Sequence, residues 1–209
     1  MVSSAARRWQ ERLRFIAAIA RKPKQTGAIS PSSHWLAKAI VESMPEREHP
    51  TVVELGAGAG ALTGSLLERT GSGGRLLSLE VDPDLARYVS GHFPQAEVWE
   101  ADAADLSGIL EKAGAEQVQA VVSALPWSLF PPDKQRVILE QARDALAPDG
   151  TFVSISTVTA GLTAAGRLFP SLLPEYFAGT GRRFVPGNFP PAYVYVGWQP
   201  VRRGGTQRS

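Results

Sequence analysis

The sequence predicts a doubly wound α/β fold, in which helices cover both faces of a parallel sheet. Short apolar segments typical of buried strands alternate along the chain with longer segments of helical periodicity. A glycine-rich turn joins the first predicted strand to a helix, as is common in such sheets. The chain has 209 residues, of which 44% are hydrophobic and 20% charged, so it can form one such domain with an extension.

The predicted elements follow one another in a regular order. A helix begins at Ser32 or Ser33 in SSHWLAKAIVESM, and the strand TVVELG follows it. After the glycine turn we predict a helix ended by Gly71, a strand RLLSLEVD, a helix PDLARYVSGHF, a strand in AEVWEADAADL, a strand QAVVSALPW, a helix in PPDKQRVILEQARDALAPDG, and the strands TFVSISTV and AYVYVGWQ. Residues 160–190, rich in Gly, Pro and aromatic residues, are expected to form a lid or an inserted pair of helices.

Positive charge is concentrated at the amino end. Residues 1–24 hold seven Lys and Arg against one Glu, whereas residues 25–209 hold 15 basic and 19 acidic residues. A basic end of this kind typically binds the phosphate groups of a nucleic acid, a membrane surface or an anionic ligand. The alternative is that it is simply solvated. Helical spacing over residues 4–21 favours a basic amphipathic helix on a membrane surface, with a cap packed on its own domain as the alternative. The residues predicted to contact the membrane are Arg7, Arg8, Trp9, Arg12, Leu13, Arg14 and Ile16.

The composition also predicts where the protein works. The chain has no cysteine, which excludes disulfides and thiolate zinc sites and suits a reducing cytoplasm; we predict no metal site. No apolar run approaches the roughly 18–20 residues needed to span a bilayer. We expect residues 25–200 to form the folded domain and residues 201–209 a basic, disordered tail. With the basic helix, the expected location is cytoplasmic, peripheral on the inner face of the cell membrane.

Acidic residues follow three successive predicted strands, at the edge where doubly wound sheets bind ligands. Glu54 precedes the glycine turn GAGAG at residues 56–60, Glu80 ends the second strand and Asp102 follows the third. The glycines allow a tight turn and let a ligand approach the backbone. Glu80 lies about 20 residues beyond them, the spacing at which a carboxylate accepts hydrogen bonds from ribose hydroxyls. Asp102 is expected to accept one from an adenine amino group.

S-adenosylmethionine suits this set of groups better than a dinucleotide does. The turn also matches the dinucleotide pattern G-x-G-x-x-A, but Glu54 would repel a pyrophosphate and attract a cation. Singly, each acid could be a surface carboxylate or a helix N-cap. Together they favour the cationic methyl donor, and with it the Rossmann-like sheet of a class I methyltransferase with an N-terminal helical extension. The residues predicted to bind the donor are Thr26, Glu54, Gly56, Gly58, Gly60, Glu80, Asp102, Ala103 and Ser123.

The fourth predicted strand ends in Ala124-Leu125-Pro126-Trp127. In rRNA adenine dimethylases a motif close to Asn-Leu-Pro-Tyr occupies this place, where the Asn and a main-chain carbonyl hold the target amine and the aromatic ring stacks on it. The absence of the Asn weakens the RNA interpretation. A turn fixed by proline, carbonyl acceptors and the face of Trp127 would instead suit a small cationic amine such as an ethanolamine headgroup. Alternatively, Trp127 packs beneath a lid.

Several stretches together resemble the bacterial phospholipid N-methyltransferases, the soluble type related to rRNA adenine dimethylases. They are KQTGAISPSS, VVELGAGAGALT, LSLEVDP, VVSALPWSLFPP and RRFVPGNFPPAYVYVGW. The resemblance implies methylation of phosphatidylethanolamine, up to three times, to phosphatidylcholine, and an N-terminal helix that docks on anionic membranes. It also implies cofactor contacts from Glu54, Gly56, Gly58 and Glu80. The family often has Pro and Thr at Ala57 and Ala59, and Gly and Leu at Ala124 and Trp127, which leaves the methyl acceptor open.

The predicted reaction is an in-line attack of nitrogen on the sulfonium methyl group, in which positioning supplies much of the rate. The ammonium must first lose a proton, to a base within hydrogen-bond reach or to water. The predicted catalytic residues are Leu125, Trp127 and His34, and Tyr176 is a second candidate base. Three alternatives stay open: a small-molecule methyltransferase, an rRNA adenine N-methyltransferase and a non-enzymatic cofactor-binding protein.

Overall fold

The computed structural model describes residues 32–201. Its helices are α1 (Ser32–Val41), α2 (Thr63–Thr70), α3 (Pro83–His92), α4 (Leu106–Ala113), α5 (Pro132–Ala145) and α6 (Ala164–Tyr176). Its strands are β1 (Thr51–Leu55), β2 (Arg75–Glu80), β3 (Glu97–Glu100), β4 (Val118–Ser123), β5 (Leu146–Thr157), β6 (Phe177–Val185) and β7 (Ala192–Pro200). Short 3₁₀ helices span Ala103–Asp105, Trp127–Leu129 and Val158–Leu162. Within this part of the chain, none of the helices has the length and apolar character needed to cross a membrane.

The described strands form one mixed sheet in the order β3-β2-β1-β4-β5-β7-β6. Strands β1 to β5 are parallel, whereas β7 runs antiparallel to both of its neighbours. The doubly wound, Rossmann-like fold class is confirmed, with a reversed last strand added to the parallel sheet. The strand order changes direction between β1 and β4, and ligands of such sheets bind outside the carboxyl ends of the strands at this point.

Two apolar layers lie on opposite faces of the sheet. Val53 and Leu55 pack in the layer that also contains side chains of α4, α5 and α6. Val52, whose side chain points to the opposite face, packs in the other layer with side chains of α1 and α2. This alternation follows from the period of two along a strand, and it decides below which side chains of β1 can face a ligand.

Residues 160–190 differ from the expectation of a lid or a pair of helices, because they contain the long helix α6 and the edge strand β6. Two prolines inside α6, Pro170 and Pro174, obscured the helix in the sequence. Gly179 interrupts the apolar pattern of β6, and only the pairing with β7 explains it: a Cβ at Gly179 would lie 2.0 Å from the ring nitrogen of Trp198. The missing side chain makes room for a neighbouring ring.

Candidate active site

A cleft opens at the carboxyl edge of the sheet, at the switch point between β1 and β4. Segments that follow the first four strands line it, together with the start of α5. It holds about 740 Å³ of empty space, the open solvent at its mouth included. The lining residues that matter most below are Gly56, Gly58, Glu80, Asp102, Leu125 and Lys134.

Glu80 holds the glycine turn in position at one wall of the cleft. Its Oε2 accepts a hydrogen bond from the main-chain nitrogen of Gly58 at 2.8 Å, and its Oε1 accepts one from that of Asp82 at 2.9 Å. Gly56 and Gly58 have φ angles of +79° and +56°, which favour glycine. A Cβ at Gly58 would meet no protein atom within 4 Å, so the turn presents bare backbone and open space to a ligand.

Asp102 lies at the cleft after β3 and is ion-paired. Its Oδ1 accepts a hydrogen bond from the main-chain nitrogen of Ala104 at 3.0 Å, and its Oδ2 accepts one from Nζ of Lys134. The ammonium of Lys134 also lies 5.4 Å from the centre of the Phe130 ring. Sequence reasoning missed Lys134 and Phe130 as site residues. The available signal was their place at the start of the helix that follows the fourth strand, because such a helix begins at the ligand-binding edge.

Glu54 points into the protein and does not line the cleft. Its side chain is 1% exposed, and its Oε2 accepts hydrogen bonds from the hydroxyls of Ser78 at 2.7 Å and Thr63 at 2.8 Å. Its Oε1 has no hydrogen-bond partner within residues 32–201. The alternation along β1 places Glu54 on the same face as Val52, beneath α2. The structure thus differs from the expected ring of three carboxylates: Glu80 and Asp102 reach the cleft, while Glu54 supports the turn from below.

Burial should make Glu54 a source of pH-dependent stability. Burial raises its pKa above the usual value of 4.5, against the opposing effect of the hydrogen bonds from Ser78 and Thr63. The folded chain therefore binds this proton more tightly than the unfolded chain, and the stability that it contributes is lost as the pH rises from 4.5 through the raised pKa. We expect the unfolding free energy of wild type to fall from about pH 5 to about pH 8 more steeply than that of Glu54→Gln. Urea unfolding at both pH values measures the difference.

Glu68→Gln is the matched control for this measurement, because Glu68 is an exposed carboxylate on α2. Its pH profile should follow that of wild type. If Glu54→Gln and wild type lose stability equally over the same interval, the carboxyl of Glu54 keeps an ordinary pKa and the burial argument is wrong.

The loop after β4 places Leu125 and Pro126 on the cleft but turns Trp127 away from it. The Trp127 side chain is 2% exposed, its ring stacks on Phe169 at 4.2 Å between centroids, and its Nε1 donates to the hydroxyl of Ser154 at 2.8 Å. In place of the expected contact with the methyl acceptor, the ring packs in the core beneath α6. Pro126 precedes a 3₁₀ turn that directs the next side chain inward.

Other predicted cofactor residues occupy different surroundings. Ala103 lines the cleft. Ser123 is buried at the end of β4, where its hydroxyl accepts a hydrogen bond from the nitrogen of Leu125 at 3.4 Å. Gly60 packs against a ring, since a Cβ there would lie 2.5 Å from Phe93. Ser123 and Gly60 therefore shape the loops around the cleft, whereas Ala103 forms part of its wall.

The two candidate bases lie away from the cleft lining in the described part of the chain. His34 is exposed on α1, where its ring meets that of Trp35 edge-on at 6.2 Å. Tyr176 is 4% exposed at the end of α6, with the guanidinium of Arg143 at 5.6 Å from its ring centre. Thr26, the predicted membrane-contact residues and residues 202–209 lie outside the described range.

The cleft fits S-adenosylmethionine in the chemistry of its lining. Leu79, Leu85 and Ile138 provide apolar surface for a base, and two carboxylates provide acceptors for hydroxyl and amino groups. The space beside Gly58, where a side chain would intrude, is available to a ligand.

Comparisons with known proteins agree with this chemistry. A family model described as "Methyltransferase domain" matches residues 52–150, which include the glycine turn, Glu80 and Asp102. The ornithine lipid N-methyltransferase of Singulisphaera acidiphila is 36% identical over 171 residues, which cover 80% of this chain and 85% of that protein. The chain belongs to the class I S-adenosylmethionine-dependent methyltransferases. S-adenosylmethionine is therefore the cofactor of this methyltransferase, as the sequence predicted.

Two further similarities concern the fold and the extent of the methyltransferase. The ribosomal RNA small subunit methyltransferase A of a Burkholderia species is 31% identical over 148 residues, which cover 63% of this chain but 53% of that protein. The methyltransferase thus matches about half the length of that relative. The structure of the N-methyltransferase NodS from Bradyrhizobium japonicum, in complex with S-adenosyl-L-homocysteine, superposes with a TM-score of 0.67 at 18% identity. The match covers 83% of this chain and 90% of that one.

Proposed function

We propose that this methyltransferase transfers a methyl group to the amino nitrogen of a membrane lipid. The observation that carries the proposal is the similarity to the ornithine lipid N-methyltransferase, which extends over most of both chains. The loop after β4 supports it. Ala124 stands where the rRNA adenine dimethylases have an Asn, and Leu125 and Pro126 line the cleft with apolar surface. Such a surface suits a flexible alkyl amine better than the edge of a base.

The residues of the cleft act by holding and aligning the reactants. When bound, S-adenosylmethionine supplies a methyl group on a positively charged sulfur. Glu80 fixes the glycine turn and offers its carboxylate to the ribose, and Asp102 offers its carboxylate to the adenine. The apolar side chains of Leu125 and Phe130 exclude water beside the reacting atoms. The ammonium first loses its proton to water, since neither candidate base lines the cleft. Main-chain carbonyls of the loop at 124–126 then accept hydrogen bonds from the amine and direct its lone pair, so that alignment supplies much of the rate.

Phosphatidylethanolamine and its methylated intermediates are the acceptors that we propose, with phosphatidylcholine as the final product. Ornithine lipid, for which the bacterial relative is named, is the second candidate. Both lipids carry a primary amine on a flexible headgroup, and the cleft lining can hold either by the same carbonyl contacts. The cleft therefore supports a lipid amine as the class of acceptor.

We also propose that residues 1–24 bind the anionic inner face of the cell membrane. The seven basic residues against one acidic residue in this segment supply the attraction, and the apolar stripe of Trp9, Leu13 and Ile16 supplies the anchor. Docking would hold the cleft near the headgroups and raise the local concentration of the substrate.

The test supplies methyl-labelled cofactor to the full chain with vesicles in which one lipid amine is present at a time. We expect label in mono-, di- and trimethylated phosphatidylethanolamine, and none after Glu80→Ala. Changing Arg7, Arg8, Arg12 and Arg14 to Ala should lower the rate on anionic vesicles at least about tenfold, the factor that corresponds to about 1.4 kcal/mol, but leave the rate on detergent-dispersed lipid unchanged.

Parallel incubations with ribosomal RNA and with a metabolite extract separate the alternatives. Label in ornithine lipid alone would replace the proposed acceptor and keep the lipid class. Label confined to RNA or to soluble metabolites would contradict a lipid substrate.

A further inference from the structure

We propose that four exposed apolar side chains beside the cleft insert into the lipid surface and set the mouth of the cleft against it. These residues, the apolar rim, are Trp35, Leu129, Leu162 and Phe189. The inference rests on the lipid substrate proposed above and adds a membrane contact within the folded domain, separate from residues 1–24.

The rim side chains lie on segments that meet at the ligand-binding edge of the sheet. Leu129 belongs to the same loop as Leu125 and Pro126, which line the cleft. Leu162 ends the 3₁₀ helix after β5, and Phe189 lies in the turn between β6 and β7. A hydrogen bond of 2.8 Å from the nitrogen of Val158 to the carbonyl of Pro191 joins these two segments, and a Cβ at Gly187 would lie 3.2 Å from the ring of Trp35.

The exposure of these side chains is high for their size. The exposed fractions are 60% for Trp35, 44% for Leu129, 80% for Leu162 and 86% for Phe189. Single apolar residues on a surface are ordinary, but several large ones at the ligand-binding edge of the sheet indicate an interaction surface.

The uncharged segments around Leu162 and Phe189 favour lipid over nucleic acid as the partner. Residues 156–166 and 184–198, which carry Leu162 and Phe189, contain no charged residue. A surface for RNA phosphates would need Lys or Arg there. Arg167 is close, but its Nη1 donates to the carbonyls of Gly161 and Leu162 at 3.1 Å and holds their loop. Trp is enriched at the boundary between headgroups and acyl chains, and Phe and Leu are typical of apolar surfaces that insert there.

The connection to the amino end adds charge complementarity. Residues 1–31 directly precede α1, whose first turn carries Trp35, so the basic segment joins the domain at the rim. Its Lys and Arg would meet anionic headgroups while the rim enters the apolar layer beside them. Hydrogen bonds hold the two most exposed positions in place: the hydroxyl of Thr163 donates to the carbonyl of Ala160 at 3.0 Å, and the side-chain nitrogen of Asn188 donates to that of Pro190 at 2.6 Å.

Single-cysteine labelling tests the rim directly, because the chain has no cysteine of its own. An environment-sensitive fluorophore is attached to full-length Leu162→Cys or Phe189→Cys and, as control, to Tyr88→Cys. Tyr88 is 47% exposed on α3, which packs against β2 and β3 at the other side of the sheet. On vesicles of phosphatidylglycerol and phosphatidylethanolamine, lipids with a quencher just below the headgroups should quench the labels at 162 and 189 and spare the label at 88.

Vesicle affinity supplies the second measurement. We expect the double variant Leu162→Ala, Phe189→Ala to bind these vesicles at least about tenfold more weakly, since even one fully buried side chain of this size contributes that much. Tyr88→Ala should bind like wild type. Cofactor affinity and the rate on detergent-dispersed lipid should be unchanged in the double variant, which separates membrane contact from folding and catalysis.

Three outcomes would contradict the proposed membrane contact of the apolar rim. In the first, the protein does not bind these vesicles. In the second, the labels at 162 and 189 on bound protein stay as accessible to water as the label at 88, and in the third they are already shielded from water without vesicles. The last result would indicate that residues 4–21 or another copy covers the rim. A wrong assignment of the lipid substrate would give a different result: the labels would be quenched as expected, but no lipid would gain a methyl group.

Discussion

Glu80→Ala should raise the dissociation constant for S-adenosylhomocysteine at least about 100-fold, a loss of about 2.7 kcal/mol. The carboxylate accepts main-chain hydrogen bonds from Gly58 at 2.8 Å and Asp82 at 2.9 Å, and hydrogen bonds to charged groups contribute about 1.5–3 kcal/mol each. Its removal would release the glycine turn and also take away the acceptor that we propose for the ribose hydroxyls. Isothermal titration calorimetry on the folded variant measures the loss.

Glu100→Ala is the matched control for Glu80. Glu100 is the register partner of Glu80 on the neighbouring strand β3, and its side chain is exposed. Its removal should change cofactor affinity less than about twofold, within the range expected of surface positions. Glu80→Gln should fall between the two, because an amide oxygen can still accept one of the main-chain bonds. A folded Glu80→Ala protein that binds the cofactor within about threefold of wild type, a loss under 1 kcal/mol, would contradict the assigned role.

Gly58→Ala should weaken cofactor binding at least about fivefold while the protein stays folded. The added Cβ meets no protein atom within 4 Å and lies at the cleft lining, where we expect the cofactor to bind. Forcing a methyl group into a filled site costs about 1–3 kcal/mol. The backbone at Gly58 has a φ of +56°, so the variant also loses about 1–2 kcal/mol of stability.

Gly114→Ala separates these two effects. Gly114 ends α4 with a φ of +63°, and a Cβ there also meets nothing within 4 Å, but it lies away from the cleft lining. Both variants should lose similar stability in urea unfolding, and only Gly58→Ala should lose affinity for the cofactor. Equal affinities in the two variants would show that the glycine turn does not contact the cofactor.

The arrangement of the cleft explains how one cofactor site can serve acceptors of different kinds. The glycine turn and the two carboxylates assigned to the cofactor lie at the ends of β1, β2 and β3, whereas the proposed acceptor surface comes from the loop after β4. Changing Ala124 or Pro126 would therefore alter the choice of acceptor and leave the carboxylates of Glu80 and Asp102 in place, whereas Leu125 also lies against the glycine turn at Gly56. The apolar rim continues this division, since Leu129 extends the acceptor loop toward the proposed lipid surface.

Much of the fold could be predicted from local patterns. The alternation of strands and helices identified β1 to β5 and β7, and Gly71 ends α2 as expected. The edge strand β6 was missed because Gly179 and Gly181 break its apolar alternation, and these glycines make sense only beside the ring of Trp198. A glycine that leaves room for a ring on another strand gives no local signal in the sequence.

The sequence by itself determined which chemical groups follow each strand, because strand ends and turns depend on nearby residues: the glycine turn, Glu80, Asp102 and the Ala124-Leu125-Pro126 loop. Only the tertiary structure decided the direction in which some of these groups point. Glu54 lies on the face of β1 that packs beneath α2. Trp127 is buried against Phe169 because of the 3₁₀ turn after Pro126. Lys134 reaches Asp102 because the start of α5 lies at the cleft. The physical reason is that the direction of a side chain follows from packing between elements far apart in the chain, which spacing alone does not encode.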